Sequence, residues 1–135
     1  MSSFSLKIVT PDGLIFDGQA ERLIVRTTTG DVAIMARHIN YFAALGMGKA
    51  TVISDGQRRD AACIGGMLSV VNGAVTLVPT TFEWADAIDP KRAEDSQHRA
   101  ERVLENKSSS DTELRLAEAR LRRALVRKSV ATRKL

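Results

Sequence analysis

The hydrophobic pattern of this 135-residue chain changes its period once, near Trp84. Before that residue, short apolar runs alternate with turn sequences, which is the pattern of β-strands with one buried face. After it, apolar residues recur every three or four positions, which is the pattern of amphipathic helices. All six aromatic residues lie at or before Trp84. The chain is therefore predicted to have two differently built parts, residues 1–86 and 87–135.

Turn sequences divide the first part into roughly eight to ten short strands, and about ten is the number we expect. Asp55-Gly56 and Asn72-Gly73 each separate two apolar runs, and such dipeptides favour two-residue hairpin loops because both positions tolerate positive φ. Pro11-Asp12-Gly13 ends a first strand whose residues alternate between polar and apolar over positions 4–9. Short strands at this spacing predict an N-terminal β-sandwich.

Two helices are predicted in the second part. Asp89-Pro90 is a strong helix start, since Asp accepts hydrogen bonds from free backbone N–H groups and Pro suits the first helical position. The polar run 106–110 interrupts the helix, and Ser110-x-x-Glu113 matches a capping box that begins the next one. A short polar connection predicts an antiparallel two-helix hairpin, so the fold class is α+β.

The apolar stripes of both helices are narrow and rich in alanine. Small residues bury little apolar area, so we expect the hairpin to be weakly held and to dock, open or extend according to what it binds. The predicted stripes comprise Ala93, Ala100, Val103 and Leu104 on the first helix, and Leu114, Ala117, Leu121, Ala124 and Leu125 on the second.

Charge is unevenly distributed along the chain. Residues 1–88 carry 7 basic and 8 acidic side chains, whereas residues 89–135 carry 13 basic and 8 acidic ones. A cationic second part suits a polyphosphate, an acidic protein surface or a nucleic acid. It has no aromatic residues for base stacking and no DNA-reading motif. We therefore expect no nucleic-acid partner, and a nucleic-acid-binding sandwich with a basic tail remains an alternative.

The sequence contains no recognisable catalytic or metal-binding constellation, so we expect a protein that is not an enzyme on its own. Residues 46–49 resemble a phosphate loop, but Ala50 follows the lysine where Ser or Thr is needed. The single cysteine, Cys63, excludes an internal disulfide and, with two separated histidines, disfavours a zinc site. No apolar run approaches the ~20 residues of a membrane span, and the N-terminus lacks the pattern of a secretory signal.

Arginine spacing indicates a polyphosphate site on the hairpin. Arg92 and Arg99 are seven residues apart and share a helix face, as do Arg123 and Arg127, which are four apart. In an antiparallel hairpin the four guanidinium groups can converge, and their planar forks suit polyphosphate. Asp89 can accept from a base amine or a sugar hydroxyl. The simpler interpretation is that Asp89 only caps the helix and the arginines are solvated, and spacing alone leaves both open.

Four short motifs follow one another along the chain. They are Val9-Thr10-Pro11-Asp12-Gly13, Gly30-Asp31-Val32-Ala33-Ile34-Met35 followed by His38, Gly65-Gly66-Met67-Leu68-Ser69-Val70 with Val75-Thr76-Leu77, and Ile88-Asp89-x-x-Arg92-Ala93. In this order they resemble the epsilon subunit of bacterial rotary ATP synthase, over essentially the whole chain. The resemblance implies a sandwich followed by a hairpin, in a non-catalytic central-stalk subunit of the proton-translocating enzyme.

The same resemblance implies partners and a place in the cell. The sandwich would contact the gamma subunit and the ring of c subunits, with Asp31 and His38 as contact candidates, at the cytoplasmic face of the bacterial membrane. The hairpin would lie folded or extend towards the alpha and beta subunits, where its basic second helix blocks rotation in the hydrolysis direction. The basic residues suited to that contact are Arg115, Arg122, Arg123, Arg127 and Lys128.

In ATP-binding members of the resembled family, nucleotide holds the hairpin folded. ATP is therefore the expected regulatory ligand, and a coupling and inhibitory subunit that does not bind ATP is the alternative. The loop Ala36-Arg37-His38-Ile39-Asn40 lacks the family's Pro-Gly-His and following proline, so we expect it to be less rigid. The positions that match the family's nucleotide ligands are Glu83, Ile88, Asp89, Arg92, Ala93, Arg99, Arg123 and Arg127.

Overall fold

The computed structural model describes residues 2–132, in which eight β-strands precede two α-helices. By its contacts the chain divides into two compact units, Met1–Trp84 and Ala85–Leu135. The strands are β1 (Phe4–Thr10), β2 (Gly13–Ala20), β3 (Arg22–Thr27), β4 (Gly30–Ile34), β5 (Tyr41–Ala44), β6 (Met47–Ser54), β7 (Gln57–Val71) and β8 (Ala74–Trp84). The helices are α1 (Pro90–Glu105) and α2 (Asp111–Thr132), and a 3-10 turn at Ala85–Ala87 precedes α1.

The strands form one sheet folded on itself, which confirms the predicted β-sandwich. Neighbouring strands follow the order β2-β1-β8-β7-β6-β3-β4, and β5 pairs with β7. The β1–β8 pair is parallel and the other pairs are antiparallel. The first part of β7 pairs with β6 and the last part with β5, so β7 serves both halves of the sheet. Side chains from both halves, among them Leu6, Leu23 and Leu68, fill a single buried cluster.

The described strands number eight, so the prediction of about ten is wrong. The sequence indicated a break at Gly65-Gly66, but β7 runs through both glycines and stays in register with β8 on either side of them. The positive φ values of 68° and 103° at these glycines let the strand bend without ending. A single strand of 15 residues therefore replaces two short ones.

The two dipeptides predicted as hairpin turns form two-residue loops, as expected. Asp55-Gly56 joins β6 to β7, and Asn72-Gly73 joins β7 to β8. All four loop residues have positive φ, which gives the loop a twist that matches the right-handed twist of the strands.

Both helices begin where predicted. The Asp89 carboxylate accepts hydrogen bonds from the backbone N–H groups two and three residues further on, and Pro90 occupies the first helical position. Ser110 and Glu113 exchange side-chain to backbone bonds of 2.9 and 3.1 Å, which confirms the capping box. The Ser110 backbone N–H, and then its hydroxyl, lower the pKa of the Glu113 carboxyl.

Within residues 2–132, neither helix has the length and apolar character needed to cross a bilayer.

Candidate functional site

The two helices pack through small side chains. Ala93 and Ala100 are buried on α1, and Ala117, Ala124 and Val130 are buried on α2. Alanines seven residues apart lie on one face of a helix, so two narrow stripes meet in the antiparallel pair. Such a contact removes little apolar area from water. The expectation of a weakly held hairpin depends on this small area.

Leu125 was predicted in the buried stripe of α2, and the structure corrects this assignment. Its side chain is 44% exposed, whereas its neighbour Ala124 is buried. Successive residues on an α-helix differ in direction by about 100°, because a turn contains 3.6 residues. Leu125 therefore faces away from the stripe that Ala124 occupies.

A groove along one edge of the hairpin is lined by both helices. Its volume is about 230 Å³, and none of its lining residues is acidic. Arg99 was predicted as a nucleotide ligand, but Arg120 was missed. The helical spacing of Arg120 from Arg123 and Arg127 could have identified it. We call this feature the arginine groove; its lining residues are Ser96, Arg99, Ala100 and Val103 from α1 and Ala117 and Arg120 from α2.

Helical spacing brings three further predicted arginines to the same edge. Arg92 precedes Arg99 by seven residues and so continues its stripe on α1. On α2, Arg123 and Arg127 follow Arg120 at intervals of three and four, which places them on one stripe as well. Arg123 and Arg127 are half-buried, and the Nε atom of Arg127 is fully buried. Helical spacing thus places Arg92, Arg123 and Arg127 on the stripes of Arg99 and Arg120, and Arg99 is the predicted arginine that lines the groove itself.

Lys128 lies on the opposite edge of the hairpin. Its Nζ atom is 3.4 Å from Gln97 Oε1 and 3.9 Å from Glu94 Oε1, so it links α2 to α1. Arg115 and Arg122, which the sequence grouped with Lys128, are exposed. Residues two apart on a helix do not face the same way, so Arg122 lies away from the stripe of Ala124. The structure therefore separates the predicted partner-binding residues of α2 onto two faces.

The remaining predicted nucleotide ligands lie on two different units. Both capping bonds of Asp89 go to Oδ1, at 3.0 and 3.3 Å, which confirms the capping interpretation and leaves Oδ2 for a further donor. Ile88 and Ala93 are buried in the helical unit. Glu83 belongs to the sandwich unit, where it is half-buried on β8 opposite Ala62.

Among residues 2–132, no three His, Cys, Asp or Glu side chains are placed to hold a metal ion.

The contact candidates of the sandwich lie in and after β4. Asp31 is exposed and accepts a 2.7 Å bond from Arg26 Nε, and this bond raises the pKa of the Arg26 guanidinium. His38 is half-buried, with Nδ1 2.8 Å from the Ile39 carbonyl oxygen. Arg37, which precedes His38, has a φ of 65°. This is the left-handed backbone conformation, which glycine adopts more easily than any residue with a Cβ.

One outer face of the sandwich carries exposed apolar side chains that sequence reasoning did not single out. Met67 on β7 pairs with Val78 on β8 and with Ala44 on β5, and Phe42 lies two residues before Ala44 on the same side. Phe42 is 65% exposed and Met67 50%. We call Phe42, Ala44, Met67 and Val78 the apolar face. Exposed apolar residues that adjoin one another mark interaction surfaces more often than scattered ones.

Cys63 lies in the core, where burial raises the pKa of its thiol to about 12. Because the thiolate is the reactive form, we expect the folded protein at pH 8 to react with an aromatic disulfide reagent at least about 100-fold more slowly than the protein unfolded in urea. The absorbance of the released thiolate measures both rates. Equal rates would contradict the burial of Cys63.

Comparison with protein-family models gives two adjoining matches. Residues 3–85 match the model "ATP synthase, Delta/Epsilon chain, beta-sandwich domain", and residues 86–132 match "ATP synthase, Delta/Epsilon chain, long alpha-helix domain". Among curated proteins, the chain is 42% identical to the ATP synthase epsilon chain of Ruminococcus albus, with 99% of this chain and 100% of that one aligned. It is 41% identical to the epsilon chain of Bacillus velezensis, with 97% and 98% aligned.

Two solved structures share the fold at low sequence identity. A chain of the Euglena gracilis mitochondrial ATP synthase, in the OSCP/F1/c-ring assembly, superposes with a TM-score of 0.81 at 18% identity, over 90% of this chain and 77% of that one. A chain of the central stalk and c-ring of the Tetrahymena thermophila enzyme superposes with a TM-score of 0.62 at 15% identity, over 95% and 96%.

Proposed function

Since the chain belongs to the ATP synthase delta/epsilon family, we propose that it works as an epsilon subunit in the central stalk of a bacterial proton-translocating ATP synthase. Such a subunit is non-catalytic: it couples rotation to ATP synthesis, and its hairpin restrains ATP hydrolysis. It sits at the cytoplasmic face of the cell membrane and is held there by partner subunits. Support comes from the full-length similarity to bacterial epsilon chains and from stalk assemblies that contain the same fold.

Different surfaces of the chain suit different partners. The apolar face offers the sandwich a docking surface for the gamma subunit and the c-ring, because covering exposed apolar area is favourable in water. Asp31 and His38 lie in the β4 region as further contact candidates. Arg115 and Arg122 are exposed on α2 and suit acidic segments of the beta subunits.

The observation that carries the regulatory part of the proposal is the arginine groove, in which Arg99 of α1 and Arg120 of α2 line the same space. Helical spacing continues these two stripes to Arg92, Arg123 and Arg127. Like charges gathered along one edge repel one another unless an anion lies between them. A triphosphate supplies several negative charges and accepts the planar, paired donors that guanidinium groups offer. Asp89 Oδ2, at the start of α1, is left for a base amine or a sugar hydroxyl. ATP fits this combination.

ATP would then act by shifting a conformational equilibrium. The arginines of α1 and α2 come together only while the hairpin is folded, so ATP binds the folded form and not an extended one. At an ATP concentration about a hundredfold above the dissociation constant, binding favours the folded form by ~2.7 kcal/mol. When ATP falls, the extended form gains population and hydrolysis is restrained.

Titration of the isolated full-length protein with ATP, with and without magnesium, tests the proposal by calorimetry. We expect saturable binding that the Arg92→Ala variant weakens by about tenfold or more, since a charge-assisted bond to phosphate is lost. Lys91→Ala removes an exposed charge next to Arg92 and serves as the control, with an affinity within about twofold of the unmodified protein.

Two results would contradict this proposal in different ways. Absence of binding up to millimolar ATP would leave a coupling and inhibitory subunit that does not sense ATP. Retention on DNA at physiological salt would instead favour the nucleic-acid-binding alternative, since weak non-specific contacts are lost under that condition.

A further inference from the structure

We propose that a cavity at one end of the sandwich binds a small amphipathic anion, whose charged head lies between Arg22 and Arg37. The cavity belongs to the sandwich unit, so this proposal does not depend on the ATP site of the hairpin. We call it the end cavity and define it by Glu21, Arg22, Met35, Arg37, Ile53 and Gly56.

Hydrogen bonds between strand ends fix the shape of the end cavity. Glu21, at the corner between β2 and β3, donates its backbone N–H to the Ile53 carbonyl oxygen at 2.7 Å. Its carboxylate Oε1 accepts from the Gly56 N–H at 2.8 Å. These bonds join the corner to the β6–β7 hairpin, so one wall is formed before a ligand binds. Small-molecule sites are usually preformed in this way and measure about 300–1,000 Å³, and the end cavity measures about 690 Å³.

The charge of the end cavity selects an anion. Arg22 and Arg37 are exposed, and among residues 2–132 neither makes an ion pair. Arg22 Nη2 lies 3.9 Å from Met35 Sδ, and a thioether is a weak acceptor. Glu21 contributes one negative charge, and its carboxylate is already bonded to Gly56. Two guanidinium groups against one carboxylate leave a net positive charge and paired donors for a carboxylate or a phosphate.

The backbone conformation of Arg37 supports this assignment. Its φ of 65° is costly for a residue with a Cβ, and residues held in such conformations concentrate at ligand sites. Asp55 and Asn72 also have positive φ, but two-residue hairpin loops require it there. Arg37 lies in the connection between β4 and β5, so no two-residue hairpin loop accounts for its conformation.

The uncharged part of the lining determines what the anion carries. Met35 and Ile53 give the end cavity aliphatic walls, and methionine adapts its shape to different apolar groups. Within the described part of the chain none of its lining residues is aromatic, so a nucleotide base finds no stacking partner. The chemistry fits one anionic head on an aliphatic chain, which a soluble carboxylate and a phospholipid share.

Calorimetric titration of the full-length protein with decanoate, below its micelle-forming concentration, tests the proposal. We expect saturable binding that Arg37→Gly weakens by about tenfold or more, since a charge-assisted bond is lost. Glycine adopts a φ of 65° without strain, so this variant keeps the loop. Arg22→Gln should weaken binding by a similar factor. Lys7→Ala removes an exposed charge outside the cavity and is the control, with an affinity within about twofold of the unmodified protein.

Two further ligands separate the head from the chain. Acetate has the head without the chain, and decyltrimethylammonium has the chain with a cationic head. We expect each to bind at least about tenfold more weakly than decanoate, because each lacks one of the two contacts.

Sedimentation with vesicles of phosphatidylglycerol or phosphatidylcholine distinguishes the two sources of the ligand. Sedimentation of the unmodified protein with phosphatidylglycerol alone, lost in Arg37→Gly, identifies a membrane lipid. Decanoate binding without sedimentation identifies a soluble carboxylate.

Three results would overturn the proposal. Decanoate binding that survives both arginine substitutions would place the ligand elsewhere, for example on the apolar face. Equal affinity for acetate or decyltrimethylammonium would remove the need for an amphipathic anion. The third result is absence of both decanoate binding and sedimentation. Urea unfolding followed by Trp84 fluorescence verifies that each variant keeps the sandwich, and Arg37→Asn replaces Arg37→Gly if that variant does not.

Discussion

Gly66→Ala is expected to destabilise the sandwich by about 4 kcal/mol or more, which is a large part of the stability of a typical domain. A Cβ at this position would collide with the carbonyl oxygen of Val78 and lie 2.6 Å from the Cα atom of Pro79. Both obstacles are backbone atoms of the paired strand β8, so neither can rotate away. The φ of 103° adds strain for any residue with a Cβ. Urea unfolding followed by Trp84 fluorescence measures the loss.

Gly73→Ala is the matched control for this prediction. Gly73 also has positive φ, at 81°, but no heavy atom lies within 4 Å of the position its Cβ would take. The cost should therefore be limited to the backbone conformation, about 1–2 kcal/mol. Similar losses of stability in the two variants would show that the close approach of β7 and β8 at Gly66 is not a constraint.

Ala124→Glu is expected to abolish the folded hairpin while the sandwich stays folded. Ala124 is 1% exposed, and burying a carboxylate without a partner costs several kcal/mol. Isolated helices of 16 and 22 residues are only marginally stable in water, so the loss of their contact removes most of the helix. Amide exchange should show the protection of residues 90–132 lost and that of the strands retained. ATP binding should disappear with the hairpin.

Leu125→Glu is the control on the neighbouring position. Leu125 is 44% exposed, so a carboxylate there stays in water and should change stability by no more than about 0.5 kcal/mol. Hairpin protection and ATP affinity should match those of the unmodified protein. Loss of the hairpin in both variants would mean that added negative charge, and not burial at the helix contact, disrupts it.

The turns and helix caps that the structure confirms depend only on neighbouring residues. Asp55-Gly56 and Asn72-Gly73 form the expected loops, and Asp89 and Ser110 cap the two helices. In each case the bond or dihedral angle involves residues at most three positions apart, so a short stretch of sequence is sufficient to predict the turn or the cap.

The wrong or missed predictions concern features that depend on contacts between residues far apart in sequence. Gly65-Gly66 looked like a strand end, but pairing with β8 carries β7 through it. Leu125 fits the spacing of a buried stripe, but the buried face of α2 is the one that carries Ala117, Ala124 and Val130. The spacing of Arg120 from Arg123 and Arg127 indicated a shared stripe on α2, but only the packing of α1 brings Arg99 into the same groove.

By itself, the sequence determined the two-part architecture, the turns, the caps and the pairs of arginines on each helix, because period and capping are short-range properties of a chain. Tertiary structure alone decided that one bent strand serves both halves of the sheet, that an apolar face is left exposed, and that Arg99 and Arg120 share a groove. These features depend on contacts between segments far apart in sequence, and such contacts form only when a whole element finds its partner.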